Sequence, residues 1–305
     1  MRKSELKPML ATLIDAPFDD KEWVFETKWD GFRLVAETGG GKRSLYSRNG
    51  NEVTERYGPV AEALQVITRK AVIDGELVAL DAAGRSRFQL LQNAMKGRAR
   101  LRYYVFDLLF LDDRDWRGEP LIERKERLRT ILRRHPLVRY STHRKQHGKA
   151  AFNRARRAGE EGIIAKRAAS LYRSGKRSRD WLKIKTGHEQ EAVIVGFTEP
   201  RGSREHFGSL VLGVHDKGKL VYAGHSGGGF SKEMLANLHA RMMKLRTRKR
   251  PFTDVPHEHQ TTWIKPQLVC QVKFTEWTRK GEMRHPVLLG LRADKPAGQV
   301  RRERA

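Results

Sequence analysis

Short apolar or alternating runs fill the first part of the chain, at Trp23–Lys28, Phe32–Ala36, Ala71–Asp74, Glu76–Leu80 and Tyr103–Phe110, several of them bounded by glycine. Runs of this kind are strand candidates. A doubly wound parallel sheet needs a crossover helix between its strands, and that regular alternation is missing here. The fold class is therefore α+β, built on an antiparallel sheet. Helical spacing recurs at Phe88, Leu91, Gln92 and Met95, then between Pro120 and His135 through Leu121, Leu128, Ile131 and Leu132. Both read as surface helices covering a sheet. A third helix, Ala150 to Ala158, runs into the turn Gly159–Gly162 and a strand at Ile163–Lys166, which puts Glu161 at a strand entrance.

After Trp181–Lys185 the polar stretch Thr186–Gln190 breaks the pattern. It separates a first domain, residues 1–187, from a second, 188–305. The remainder offers strands at Ala192–Phe197, Ser209–Val214 and Leu220–Tyr222, a helix from Ser231 to Leu245, and a last strand at Leu268–Phe274. Several strands with one helix and a Gly-rich hairpin suit a five-stranded oligonucleotide-binding (OB) barrel. Gln299 to Ala305 reads as a frayed basic end.

Charge narrows the partner. Lysine and arginine number 62 against 36 acidic residues, a formal net charge of +26. Neutralised phosphates release counterions and give such a surface sequence-independent affinity, so nucleic acid is the expected partner. Cys270 is the only cysteine. That excludes an internal disulfide and a cysteine-built zinc module, and it fits a reducing cytoplasm. No run approaches the roughly 20 apolar residues of a membrane helix, and no signal-peptide core follows Met1, so no membrane association is expected. The pairs His143 with His147 and His257 with His259 lack a third ligand and are read as ordinary histidines.

The string Glu26-Thr27-Lys28-Trp29-Asp30-Gly31-Phe32-Arg33 brings a lysine, carboxylates and an arginine to a strand end and a glycine turn. Lysine is a covalent nucleophile when its surroundings favour the neutral amine, so Lys28 is the candidate. Glu76 and Glu161 are hard oxygen donors suited to a divalent cation. Lys183 and Lys185 alternate with Leu182 and Ile184, so both ammonium groups face one side of a strand.

These strings, in this order, resemble the covalent nucleotidyltransferase superfamily of polynucleotide ligases and mRNA capping enzymes. Lys28 to Arg33 looks like the first motif, whose lysine takes the nucleotide as a phosphoramidate. Ser47-Arg48-Asn49-Gly50, Asp74-Gly75-Glu76, Tyr104 to Leu109, Glu161 to Lys166 and Trp181 to Lys185 resemble the elements that follow. Arg292-Ala293-Asp294-Lys295 is similar to the sixth motif of DNA ligases. The hairpin Phe207–Gly213 with Tyr222–Gly227 brings the likeness nearest to the ligase domain of bacterial end-joining DNA ligases.

The resemblance implies an ATP-dependent DNA ligase, with an adenylation domain, an OB domain and ATP in the cleft. Lys28 would attack the α-phosphorus, AMP would pass to the 5′-phosphate of a nick, and the 3′-hydroxyl would displace AMP. By the same likeness Asp30 is catalytic, and Glu26, Arg33, Arg48, Glu76, Phe106, Lys183, Lys185, Arg292 and Lys295 contact ATP or AMP. Phe106 would stack on adenine, Arg48 would also hold the nick phosphate, and Arg292 with Lys295 would orient pyrophosphate. Glu76 and Glu161 would hold Mg²⁺ or Mn²⁺. ATP is preferred to NAD because Lys28 lies near the start and a four-cysteine module cannot be built. The expected partner is nicked duplex DNA bound by a monomer near the nucleoid, with a Ku-like factor or a polymerase as further candidates. Three readings compete: DNA ligase, RNA ligase or capping-type nucleotidyltransferase, and a non-catalytic binding protein on a dead ligase scaffold.

Overall fold

The computed structural model describes residues 7–93, 100–200, 204–252 and 260–303. The chain divides into two compact units, one running to Thr186 and the other starting at Gly187. The first unit comprises β1 (Leu10–Leu13), β2 (Asp20–Thr27), β3 (Phe32–Gly39), β4 (Lys42–Ser47), α1 (Gly58–Ala63), β5 (Ala71–Leu80), α2 (Phe88–Asn93), β6 (Arg100–Leu111), β7 (Arg114–Asp115), α3 (Leu121–Ile131), β8 (Val138–Tyr140), β9 (His143–Gln146), α4 (Gly148–Ala158), β10 (Gly162–Arg167) and β11 (Arg177–Lys185). Two sheets result, one ordered β1-β11-β10-β2-β9, the other β4-β3-β5-β6-β7 with β8 also on β6. Among the described strands of this unit only the β1–β11 and β6–β8 pairings are parallel. The class is mixed α+β with mostly antiparallel sheets.

The period of two along each strand sorts residues between three apolar layers. On β3, Phe32, Leu34 and Ala36 pack outward with α1 and α2. On β2 and β10, Phe25, Ile163 and Ala165 pack beneath α4 against Ala151 and Ala155. The intervening layer draws Val24 and Trp181 from the first sheet and Val35, Val72, Phe106 and Leu109 from the second. The two sheets therefore face each other. Glu26, Arg33, Glu76, Lys166, Lys183 and Lys185 share the strand parity of that inner layer, so their polar groups are directed toward the seam.

Ala71–Asp74 and Glu76–Leu80 form one strand, since the irregularities beside Ile73 and Gly75 are absorbed as bulges in the pairing with β6. A glycine inside a strand marks such a bulge as readily as a turn. Strands β1, β4, β8 and β9 carry too little apolar alternation to stand out. Met95 lies outside the described residues. α3 does more than cover a sheet, because Arg124 and Lys125 are fully buried.

The second unit comprises β12 (His188–Thr198), β13 (Leu210–Asp216), β14 (Lys219–Ser226), α5 (Lys232–Met243), β15 (Thr261–Phe274) and β16 (Val287–Arg292). Its sheet runs β14-β13-β12-β15-β16, antiparallel throughout. The edges meet: Met283 N donates to Ala223 O at 2.8 Å and Leu288 N to Gly228 O at 3.0 Å. This is the five-stranded closed form expected of an OB-like barrel. Ser231 caps α5, accepting from Met234 N at 3.1 Å. Phe274 does not end the last strand, since β16 follows. Nor do residues 299–303 fray. Val300 is buried, and Gln190 Nε2 donates to Arg301 O at 2.9 Å while Glu303 N donates to Gln190 Oε1 at 2.9 Å.

Candidate active site

Lys28 is the first residue beyond β2, and its N–H continues the ladder by donating to Gly162 O at 2.9 Å. Its ammonium pairs with Glu161, the residue before β10, with side chains 18% and 7% exposed. Two glycines make the approach possible. Gly162 has φ +153°, and a Cβ there would lie 2.1 Å from Ile184 O; at Gly31 a Cβ would lie 2.1 Å from Leu77 O. A side chain at Gly162 would push β10 from β11, and one at Gly31 would push the turn after Lys28 from β5. Asp30 braces the turn between them. Its Oδ2 accepts from Phe88 N at the start of α2 at 3.0 Å, and its N donates to Ser86 Oγ at 3.2 Å.

Register sets the remaining cations. Lys183 lies opposite Ile164, which lies opposite Glu26, and Lys185 lies opposite Gly162. Lys183 and Lys185 thus stand on the inner face beside the Lys28 end of β2, both partly exposed. On the facing sheet, Arg33 pairs across with Glu76, and Glu76 with Tyr104. Ser47 pairs with Leu34, so Arg48 follows in the turn that ends β4.

Deeper in the seam Glu26 accepts from Lys125 Nζ at 2.8 Å, Lys166 Nζ at 3.0 Å and Ser141 Oγ at 3.3 Å. Burial alone would raise its carboxyl, but the two ammonium groups hold it below the usual range. Burial also pulls Lys166 down to about 8 against the pull of Glu26. Lys166 Nζ lies 4.2 Å from the Phe106 ring centre and 4.3 Å from that of Trp181. Phe106 is itself only 6% exposed, so it lines the seam as a core residue with cations against it.

Arg33, expected to contact the nucleotide, is engaged within the first unit. Its guanidinium forks onto Asp74 at 2.6 and 2.7 Å, and Tyr172 Oη donates to the same carboxylate at 2.6 Å. Burial opposes its charge, yet Asp74 raises its pKa beyond the ordinary arginine value. A bidentate pair of this kind braces two strands. Arg292 and Lys295 are engaged within the second unit: Arg292 forks onto Asp294 at 2.8 and 2.7 Å, and Lys295 pairs with Glu191.

Of the expected site residues, Lys28, Glu161, Glu26, Lys183, Lys185, Phe106, Arg33 and Glu76 come together on the two facing sheets. Lys125, Ser141 and Tyr172 were not anticipated. Lys125 shares the inward face of α3 with Leu121 and Leu128, but the sequence does not show that it pairs with Glu26 there. Among the described residues no group of three or more His, Cys, Asp and Glu side chains could hold a metal. His143 is half-buried, and burial with Lys125 beside it depresses it to about 4. His147 precedes α4, and His257 and His259 lie outside the described residues. Cys270 is buried, its thiol pushed up to about 12 by burial. No helix among the described residues is long and apolar enough to cross a membrane.

A lysine at a strand end, carboxylates and two further lysines on the inner face of paired sheets, followed by an OB-like barrel, define a nucleotidyltransferase architecture. Residues 8–185 match the ATP dependent DNA ligase domain and residues 203–295 the ATP dependent DNA ligase C terminal region. The chain belongs to the ATP-dependent DNA ligase family. It is similar to the multifunctional non-homologous end joining protein LigD of Pseudomonas aeruginosa, 40% identical over 310 residues that take in 98% of this chain and 37% of that protein. LigD of Mycobacterium tuberculosis (strain H37Rv), a multifunctional non-homologous end joining DNA repair protein, is 39% identical over 306 residues, 98% of this chain and 40% of its own length. The chain thus spans well under half of these relatives. Among solved structures, mycobacterial DNA ligase D complexed with ATP and MES superposes with a TM-score of 0.74 at 35% identity, covering 99% of this chain and 100% of that one. The ligase domain from M. tuberculosis LigD gives 0.57 at 36% identity over 99% and 100% of the two chains.

Proposed function

We propose that this chain seals nicks bearing 3′-hydroxyl and 5′-phosphate ends in duplex DNA, taking AMP from ATP onto Lys28, as the ligase component of an end-joining repair system. The observation that carries this is Lys28 at the end of β2, in contact with Glu161 and flanked by Lys183 and Lys185. In the first step the neutral Lys28 amine attacks the α-phosphorus, the new P–N bond replaces the bond to pyrophosphate, and the amine gives up a proton. Glu161 contacts the Lys28 amine, so that contact must open before the amine can attack. Recruitment of the carboxylate to a cation would open it.

Glu76 and Glu161 fit Mg²⁺ or Mn²⁺ in donor type. Such ions are held by one or two carboxylates plus waters and substrate phosphates, and when bound would neutralise charge on the transferring phosphate. Lys183 and Lys185 supply fixed positive charge toward the α-phosphate, which is most of what phosphoryl transfer asks of a protein. Phe106 is assigned to the purine, which would take the place of a cation now lying over its ring. Arg33 holds β3 to β5 through Asp74, and Arg48 at the sheet edge is assigned to nucleotide and nick phosphates. Arg292 and Lys295 are assigned to pyrophosphate, residues 1–187 to adenylation and 188–305 to DNA binding. The exposed run Lys244, Arg246, Arg248, Lys249 and Arg250 supports a DNA-facing second unit. Acting on DNA, the chain would be a cytoplasmic, nucleoid-associated monomer, with a Ku-like factor or a polymerase as co-workers.

The deciding experiment is incubation with labelled ATP or GTP and Mg²⁺, followed by denaturing electrophoresis. ATP should leave a covalent label that moves to nicked DNA. Labelling by GTP alone would overturn the assignment in favour of capping-type chemistry.

A further inference from the structure

The turn that carries Lys28 is fastened at a point that the reaction as described does not use. Trp29 lies flat on Tyr104, ring centres 3.6 Å apart and planes 4° apart. Its indole Nε1 donates to Ser141 Oγ at 3.0 Å, and Ser141 Oγ donates to Glu26 at 3.3 Å. The residue next to the nucleophile is therefore joined to β6 by a stack and to the segment after β8 by a hydrogen bond. Asp30, one residue further, is held separately at the start of α2.

We propose that Trp29 is a positioning residue for Lys28, holding the peptide from which the nucleophile springs; this rests on Lys28 being the adenylated lysine. A lysine ammonium rides on a flexible four-carbon stem. It can be aimed within the roughly 3–3.5 Å of a near-attack geometry only if its Cα is fixed. β2 ends at Thr27 and Lys28 makes one further ladder bond, its N–H to Gly162 O at 2.9 Å; the turn beyond it is held by the Trp29 and Asp30 contacts. In the stack on Tyr104 the rings lie face to face with planes 4° apart, which gives the indole a flat support, and the Nε1 bond to Ser141 Oγ sets its orientation in that plane. The same hydrogen-bond path ends on Glu26, so the turn is also tied to the buried Lys125 and Lys166 pair.

The test uses the full chain and compares Trp29→Ala, Trp29→Phe, Tyr104→Ala and the double change Trp29→Ala with Tyr104→Ala. Two steps are measured: protein adenylation over an ATP titration, and closure of a nick already carrying AMP, which needs no lysine nucleophile. Each single alanine change should slow adenylation at saturating ATP by roughly 10- to 100-fold with little change in apparent KM. Trp29→Phe should recover most of the rate. The double change should be no worse than the poorer single one, because both remove one stack. Closure of the adenylated nick should stay within roughly threefold. Native-rate adenylation by Trp29→Ala, beside a Lys28→Ala variant that forms no adenylate, would overturn the proposal. So would equal losses in both steps, the sign of a general folding defect. A tighter KM for ATP in Trp29→Ala would overturn it differently, by showing that the indole occupies a base site. A Lys28→Ala variant that still becomes adenylated would instead sink the nucleophile assignment.

Discussion

In the proposed reaction Lys28 is required as a nucleophile only while ATP is the AMP donor. Lys28→Ala should abolish both the covalent adenylate and the joining of ordinary nicks, yet close a nick supplied with AMP already on its 5′-phosphate. That last step needs a positioned 3′-hydroxyl and a neutralised leaving group, which the rest of the site provides. Denaturing gels of the two reactions check it; a heat-stable adenylate on the variant would mean that another lysine reacts. At this scale the sequence was informative where a residue type and its spacing carry chemistry. Lys28, Glu161, Lys183 and Lys185 were all legible, because strand alternation and a strand entrance fix where they point. Arg33 was legible as a residue of the site but not in its partner, since Asp74 lies on β5, 41 residues away. Only the register of β3 with β5 brings the two together.

Elements decide how the charge in the seam is held. α3 contributes two fully buried cations, Arg124 onto Asp107 at 2.7 and 2.8 Å and Lys125 onto Glu26 at 2.8 Å. Leu121, Leu128 and Ile131 mark its inward face, but its charge pattern is that of a solvated helix, so the sequence does not show that Arg124 and Lys125 are buried on that face with them. Strands with clear alternation, β2, β3, β6 and β10, could be read from the chain. β1, β8, β9 and β16 owe their existence to neighbours that complete their hydrogen bonds. The Glu26 cluster gives the element scale its prediction. Glu26→Gln would leave two buried ammonium groups without their carboxylate, a cost of about 3–5 kcal/mol. The Glu26 carboxyl is held below its ordinary value of 4.5 in the folded state. Its contribution is therefore present above that pH and fades as pH falls through the folded value. Denaturant unfolding of both proteins should show a gap that is widest near neutrality and narrows below pH 4.5. A gap that stayed constant into acid would show that Glu26 is not charged in the folded protein.

Across the whole molecule the net charge of +26 bears on the proposed grip on DNA. If about six phosphates are neutralised, log affinity for a nicked duplex should fall with log salt at a slope near −5. A slope of about −1 would correspond to one phosphate and place most of the positive charge off the DNA. The second unit also holds Arg292 and Lys295, which the proposed function assigns to pyrophosphate. Within its own unit this pair is engaged by Asp294 and Glu191, carboxylates that a pyrophosphate group could replace as partners. Pyrophosphate leaves only in the first step. Arg292→Ala combined with Lys295→Ala should therefore suppress protein adenylation while closure of a pre-adenylated nick persists, the same split expected for Lys28→Ala. If the double variant formed adenylate normally but could not close that nick, the pair would act on DNA, and the pyrophosphate role would pass to cations of the first unit such as Lys183 and Lys185.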